Sequence, residues 1–312
     1  MAGRLGIWLL GLSFLAALVF LGRLTPMASL FLGVWLPLPV LAVGWRLGSR
    51  AALLLAGVAA GGLFLLPPGP AGIAEHLNLL ELLALGAVLS ILRQQGYSLP
   101  QTVAYGVGVL VLISGGFLLA QGWFTGLGAV GLLRQKAEAV AAILTQVAAE
   151  AGLENPGFPW GGAGRAEWGS LILKILPALW VINTTLVAWL NLVLVRGWAL
   201  ARGEMELEPP LYQWGAPEWL IFPFLGAGFL LLAPVPVMRL AAVNLLLVLG
   251  LVYFFQGLAV MAALYERFHF PGFLRLLGFL IAFMNPVFLV VTLVGLLDLW
   301  LDFRRLNQPR ES

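Results

Sequence analysis

The chain has 312 residues, of which 61% are hydrophobic and only 10% charged, against roughly 25% charged in a soluble domain. The formal charge is +3, and the 15 Arg and 2 Lys are scattered between apolar runs with no basic cluster, which argues against a nucleic-acid partner. Cysteine is absent, so disulfides, thiolate catalysis and Cys-based metal sites are excluded.

Charge-free stretches run over residues 5–22, 24–45, 51–74, 101–133, 175–195, 219–238, 240–265 and 276–297. Most reach the roughly 20 residues that a helix needs to cross the hydrocarbon layer, so an all-α, polytopic transmembrane bundle of about eight crossings is expected. Helices are implied over a barrel because the runs are continuously apolar, and lipid offers no partner to unpaired backbone groups. The whole of 1–312 reads as a single membrane domain, interrupted by an extramembrane insertion over 121–168.

Span 1 covers about 5–22; Leu21-Gly22-Arg23 makes a poor cleavage site, so it reads as a retained helix. Span 2, about 26–45, contains Pro37 and Pro39, which should break or kink it. Span 3, about 50–66, carries Gly57-x-x-x-Gly61, a small-residue face suited to close helix contact. Span 4, about 74–92, opens with Glu75, His76, Asn78 and Glu81, the densest polar group near any span. Ionisable groups at membrane depth face a cavity or a partner, which makes Glu81 a candidate ligand or proton-relay residue. His76 lacks a second imidazole near it for a metal site, since His269 is placed on the opposite side.

Span 5 runs from about 101 to 120. Beyond it Val130, Leu133, Ala137, Val140, Leu144 and Val147 form a 3,4,3,4,3 stripe, which predicts an extracytoplasmic amphipathic helix over 128–152. The Gly-rich stretch 157–164 then leads into span 6, about 169–195, with Lys174, Pro177, Asn183, Thr184, Thr185 and Asn191. Pro177 frees a backbone carbonyl, and Asn183 is suited to either an interhelical hydrogen bond or a substrate contact. The acidic run Glu204, Glu206 and Glu208 reads as a solvated loop.

Span 7 is about 217–234 and span 8 about 238–265, the latter marked by Arg239, Asn244 and Gln256. Arg239 at the outer mouth is suited to receive an anionic group through its planar fork. The last apolar stretch, 272–301, is ~45 Å long as a helix and is expected to bend at Asn285-Pro286. Asp298, Asp302, Arg304 and Arg305 close the chain as a solvated helix end or a docking surface for a cytoplasmic protein, with Asp302 near Arg305. Arginine placement puts the N-terminus in the cytoplasm of a multi-pass cell-membrane protein.

Three stretches carry a resemblance: Pro209-Pro210-Leu211-Tyr212-Gln213-Trp214 with Pro217-Glu218-Trp219-Leu220; Asn244-Leu245-Leu246-Leu247 with Tyr253 to Ala259; and Gly295 to Arg305. Their order resembles the YybS-like family of uncharacterised bacterial membrane proteins, and residues 30–62 are similar to the same family. The resemblance implies a bacterial inner-membrane location and no established activity. Residues 30–62 are also similar, at fold level, to the substrate-binding subunits of energy-coupling-factor vitamin transporters. The chain departs from those subunits in showing Ser13-x-x-x-Ala17 where they show a paired-alanine contact, and in carrying about two extra spans.

No Walker loop, nucleophile elbow, zinc-protease motif or dinucleotide fingerprint is present, so neither an enzyme nor a cofactor is expected. The leading reading is a small-solute binding or uptake subunit, with a pocket near the outer leaflet lined by Glu81, Asn183, Arg239 and Asn244. The rival is an assembly protein that docks other membrane or cytoplasmic proteins through 128–152 and Asp298 to Arg305.

Overall fold

The computed structural model describes residues 2–67, 73–150, 165–203 and 210–304. The Gly-rich stretch 157–164, the acidic run at Glu204, Glu206 and Glu208, and Arg305 lie outside the described residues. The described chain is all-α: α1 (Ala2–Gly22), α2 (Pro26–Gly33), α3 (Pro37–Leu47), α4 (Ser49–Leu65), α5 (Ile73–Gln94), α6 (Leu99–Thr125), α7 (Gly128–Glu150), α8 (Arg165–Ala201), α9 (Ile221–Leu230), α10 (Pro236–Arg267), α11 (Gly272–Ala282) and α12 (Val287–Leu301). Short 3-10 turns at Leu211–Gln213 and Glu218–Leu220 precede α9.

Among the described residues five helices are long and apolar enough to cross a membrane: Gly3–Gly22, His76–Gln94, Leu99–Trp123, Gly169–Ala201 and Pro236–Arg267. The pair α11 and α12, bent by 99° at its break, makes a sixth when counted as one span. Shorter apolar helices at Phe31–Leu47, Ser49–Leu65 and Glu218–Leu230 fall where the second, third and seventh spans were expected. Large side chains such as Phe20, Phe64 and Leu112 lie exposed on these helices, a surface that is stable against hydrocarbon and not against water. The chain is a polytopic membrane protein.

Two compact units divide the chain, Met1–Lys136 with Asn183–Met205, and Ala137–Ile182 with Glu206–Ser312. In the first, α1 turns Gly11, Leu15, Leu18 and Gly22 inward, a 4,3,4 spacing that keeps one helical face against the bundle. Leu15 joins Leu36, Val40, Val43, Ala52, Leu55 and Leu83 in the core formed by α1, α3, α4 and α5. The Trp8 indole donates to the Ala51 carbonyl at 3.3 Å. The proline break appears where Pro37 and Pro39 predict it: α2 ends at Gly33, and Pro37 opens α3, where its missing N–H costs nothing. Ser98 and Gln101 form a capping box at the start of α6.

Gly57 and Gly61 face open space on α4 and do not form a helix contact within the described residues. The buried face of that helix is instead Ala52, Leu55, Ala56 and Leu63, whose larger side chains fill the core better than a glycine stripe can.

In the second unit the close contact is between α10 and α12. A Cβ on Gly257 would run into the Val291 carbonyl, and one on Gly295 into the Tyr253 carbonyl, so only glycine allows the two backbones to approach this far. Helix α7 forms as the stripe predicts, but the side chains it buries against α8 are Ala137 and Ala141, packed on Ile172. Val130 and Val140 of the expected stripe are exposed. α6 continues to Thr125 and α8 begins at Arg165, which shortens the connecting segment from both ends.

Candidate functional site

Helices α3 and α5 each carry an arginine in the last turn, Arg46 and Arg93; the C-terminal half of α8 adds Arg196, and Arg202 follows its end. Cations suit helix C-termini, where unpaired carbonyls leave partial negative charge. Two tryptophans interleave with them. The Trp198 ring lies under both Arg46, at 4.2 Å from its centroid, and Arg202, at 4.7 Å, while Arg93 stands 6.0 Å from the Trp45 centroid. The Arg93 Nη1 also donates to the Tyr97 carbonyl at 2.6 Å.

A cavity of about 250 Å³ opens at this end of the first unit, lined by apolar Leu41, Leu99, Leu192 and Val195, by Gly44 and Trp45, and by polar Ser90, Arg93, Gln94 and Arg196. Two of its polar groups are fixed by neighbouring backbone: Ser90 Oγ donates to the Gly86 carbonyl at 2.9 Å, and Gln94 Nε2 donates to the Gly44 carbonyl at 2.8 Å. Apolar walls with a few convergent polar groups are the make-up of a small-molecule pocket. None of Glu81, Asn183, Arg239 or Asn244 lines it.

Those four residues fall in different units, Glu81 and Asn183 in the first, Arg239 and Asn244 in the second. Glu81 is half-buried on α5, whereas Asn183 and Arg239 are exposed. Asn244 is held by backbone: its Oδ1 accepts from Ala178 N at 3.0 Å, and its Nδ2 donates to the carbonyls of Lys174 at 2.8 Å and Leu240 at 2.9 Å. Asn191 is comparable, buried and donating to the Val34 carbonyl at 2.8 Å and the Val187 carbonyl at 2.7 Å. His76, also buried, receives an N–H from Arg23 on its Nε2 at 3.2 Å. Among the described residues no group of three or more His, Cys, Asp or Glu side chains is placed to hold a metal ion.

The C-terminal residues differ from expectation. Asp298 and Arg304 do not form a solvated helix end; they make a buried ion pair at 2.7 Å, with side chains 2% and 6% exposed. The cause is local. Asp302 adopts a left-handed conformation, φ 40° and ψ 56°, that stops α12 and turns the chain so that Arg304 returns to Asp298. Gln256 Nε2 donates to Asp298 at 3.1 Å, and Phe303 N donates to it at 3.0 Å. Arg304 Nη1 donates to the carbonyls of Tyr212 at 3.0 Å and Trp214 at 2.5 Å, and Gln256 Oε1 accepts from Ala216 N at 3.2 Å. Asp302 itself is half-buried.

The lining residues Trp45, Ser90, Arg93, Gln94 and Arg196 were not singled out as binding residues from the sequence, where Arg93 and Arg196 read as orientation signals. A pointer existed: Trp45-Arg46 and Arg196-Gly197-Trp198 each put an arginine beside a tryptophan near the end of an apolar run.

A family model described as Predicted membrane protein (DUF2232) matches residues 13–299, and the chain belongs to that family. No curated protein and no solved structure matches the chain.

Proposed function

We propose that this chain is a small-solute binding or uptake component of the cell membrane, with its ligand held in the cavity of the first unit. The observation that carries the reading is the cavity of about 250 Å³, where Ser90, Arg93, Gln94 and Arg196 meet Trp45 and an aliphatic wall. That size is just below the ~300–1,000 Å³ of pockets for drug-sized ligands and suits a compact metabolite. The fold-level similarity of residues 30–62 to substrate-binding subunits of energy-coupling-factor transporters is the analogy behind a binding role. The site is placed at the cavity, whose described lining contains none of Glu81, Asn183, Arg239 and Asn244, and both amide hydrogens of Asn244 are donated to backbone carbonyls.

In this reading the arginine-rich helix ends and the N-terminus face the cytoplasm, as the positive-inside rule requires. The chain acts as a binding protein and not as an enzyme, and energy for transport comes from a partner or an ion gradient. Native mass spectrometry of detergent-purified protein tests the proposal. The wild type should release a small molecule on activation, and Val195→Phe, which fills the cavity, should abolish that release while keeping the thermal transition. Equal occupancy in Val195→Phe overturns the reading; co-purified proteins with no small molecule turn it toward an assembly role.

A further inference from the structure

We infer that the ligand of this cavity is an uncharged carboxamide, an amide group carried on a compact apolar body; the inference rests on the binding reading above. Two side chains one turn apart on α5 supply the polar lining other than guanidinium, buried Ser90 and exposed Gln94. Their own hydrogen bonds decide what they still offer. The single Ser90 hydroxyl proton goes to the Gly86 carbonyl at 2.9 Å, so Ser90 Oγ is left as an acceptor. Gln94 Nε2 gives one hydrogen to the Gly44 carbonyl at 2.8 Å and keeps the second, while its Oε1 accepts nothing from the described residues. The Gly44 carbonyl is occupied twice, by Gln94 and by Gly48 N at 3.0 Å, and adds no further acceptor. A Cβ at Gly44 would lie 2.5 Å from Ser90 Oγ, so only glycine there leaves room for the hydroxyl at the lining.

Two acceptors and one donor remain, and a primary carboxamide is their complement, with two N–H groups and one carbonyl. The spacing agrees. Residues four apart on a helix hold their Cβ atoms about 5–6 Å apart, close to the ~5 Å between two acceptors that share one NH2 group at about 2.9 Å each. Other head groups match less well. A carboxylate would set its lone pairs against those of Ser90 Oγ and Gln94 Oε1, and an ammonium would leave the Gln94 N–H unmatched. Each would also carry a full charge against a wall of Leu41, Leu99, Leu192 and Val195. Arg93 and Arg196, which border the same recess, have partners of their own, the Tyr97 carbonyl among those of Arg93. Recognition therefore falls to the α5 pair, while Trp45 and the aliphatic wall take the apolar body.

Calorimetric titration of the full chain in phosphatidylcholine nanodiscs, referenced to empty discs, tests this with benzamide as probe. Acetophenone keeps its shape and carbonyl but has no N–H, and benzoate keeps its shape but is charged. Benzamide should bind saturably, and both counterparts at least about tenfold more weakly. Ser90→Ala and Gln94→Met should each weaken benzamide about three- to tenfold, as the loss of one hydrogen bond implies. Ser90→Ala should also narrow the preference for benzamide over acetophenone, which a general loss of folding would not do. Absence of saturable benzamide binding, acetophenone or benzoate binding as tightly, or unchanged benzamide affinity in both variants overturns the carboxamide assignment and leaves the cavity reading standing. Benzamide binding that depends on Ser90 and Gln94 but is untouched by Val195→Phe fails the cavity reading instead.

Discussion

Asn244 lies across the break that Pro177 makes in α8: its amide accepts from Ala178 N and donates to the Lys174 carbonyl, two groups that an uninterrupted helix would join to each other. Asn191 does the same for the other proline break, donating to the carbonyl of Val34 between α2 and α3. In hydrocarbon no water reaches a freed backbone group, so a side-chain amide from a neighbouring helix is what makes such a break tolerable. The two asparagines are parts of the scaffold, their amide hydrogens held by backbone carbonyls.

If Asn244 serves the proline break, its worth depends on the proline. Asn244→Leu should cost about 1–2 kcal/mol in the full-length protein, the range of an interhelical hydrogen bond in membranes. In a Pro177→Ala background α8 closes its own backbone bond, and the same substitution should cost less than half as much. Denaturant titration of the four variants in detergent measures the coupling; equal costs in both backgrounds would detach Asn244 from the proline.

Asp298 and Arg304 are bound into more than each other. Asp298 accepts from Gln256 and Phe303 N, and Arg304 donates to the carbonyls of Tyr212 and Trp214. Arg304→Ala therefore strands a buried carboxylate and two carbonyls, and a loss of about 3–5 kcal/mol is expected, seen as a fall in melting temperature and in yield. Exchanging the two charges should rescue little, because a carboxylate at 304 faces carbonyls and a guanidinium at 298 faces N–H donors. Full recovery in the exchanged protein would reduce the arrangement to a simple ion pair.

Glycine substitutions separate close contact from open surface. Gly257→Ala and Gly295→Ala force α10 and α12 apart and should each destabilise by about 1–3 kcal/mol, the usual range for overpacking. Gly57→Ala and Gly61→Ala meet nothing within 4 Å and should leave stability unchanged or slightly raised, since Ala is the better helix former. Thermal unfolding of the four single variants distinguishes them. A large loss at Gly57 or Gly61 would show that the exposed face of α4 has an unseen neighbour.

Helix identity was legible in the sequence because a residue meets lipid or bundle according to its own polarity, and apolar length is a local property. The breaks at Pro37 and Asn285-Pro286 were legible for the same reason, since proline acts on its own turn. What fills a break is not local. Asn191 lies 157 residues from Val34, and Asn244 lies 66 from Ala178, so the sequence marks each partner without joining them. The same holds at the C-terminal end, where Tyr212, Trp214, Gln256, Asp298 and Arg304 come from three separated stretches that the structure gathers into one hydrogen-bonded cluster. The expected Asp302–Arg305 pairing lies outside the described residues; the return of Arg304 to Asp298 follows from a left-handed turn at Asp302, which the charges of the Asp-Phe-Arg-Arg stretch do not mark. Arg93 and Arg196 were visible as charges, but a charge bordering a cavity and a charge anchoring a helix look alike in one dimension.

Membrane orientation has a clean test, because the chain contains no cysteine and a single introduced thiol reports without background. Leu24 follows α1, while Gln95 follows α5 at the end that carries Arg93, and both are exposed. Replacing either leaves every arginine in place, so the charge bias that sets orientation is undisturbed. With the arginine-rich end in the cytoplasm, an impermeant maleimide added to intact cells should label Leu24→Cys, and should label Gln95→Cys only after permeabilisation. The reverse pattern would turn the cavity to the outside. Labelling of both sites in intact cells would mean that α1 and α5 do not bracket the bilayer as their apolar lengths require.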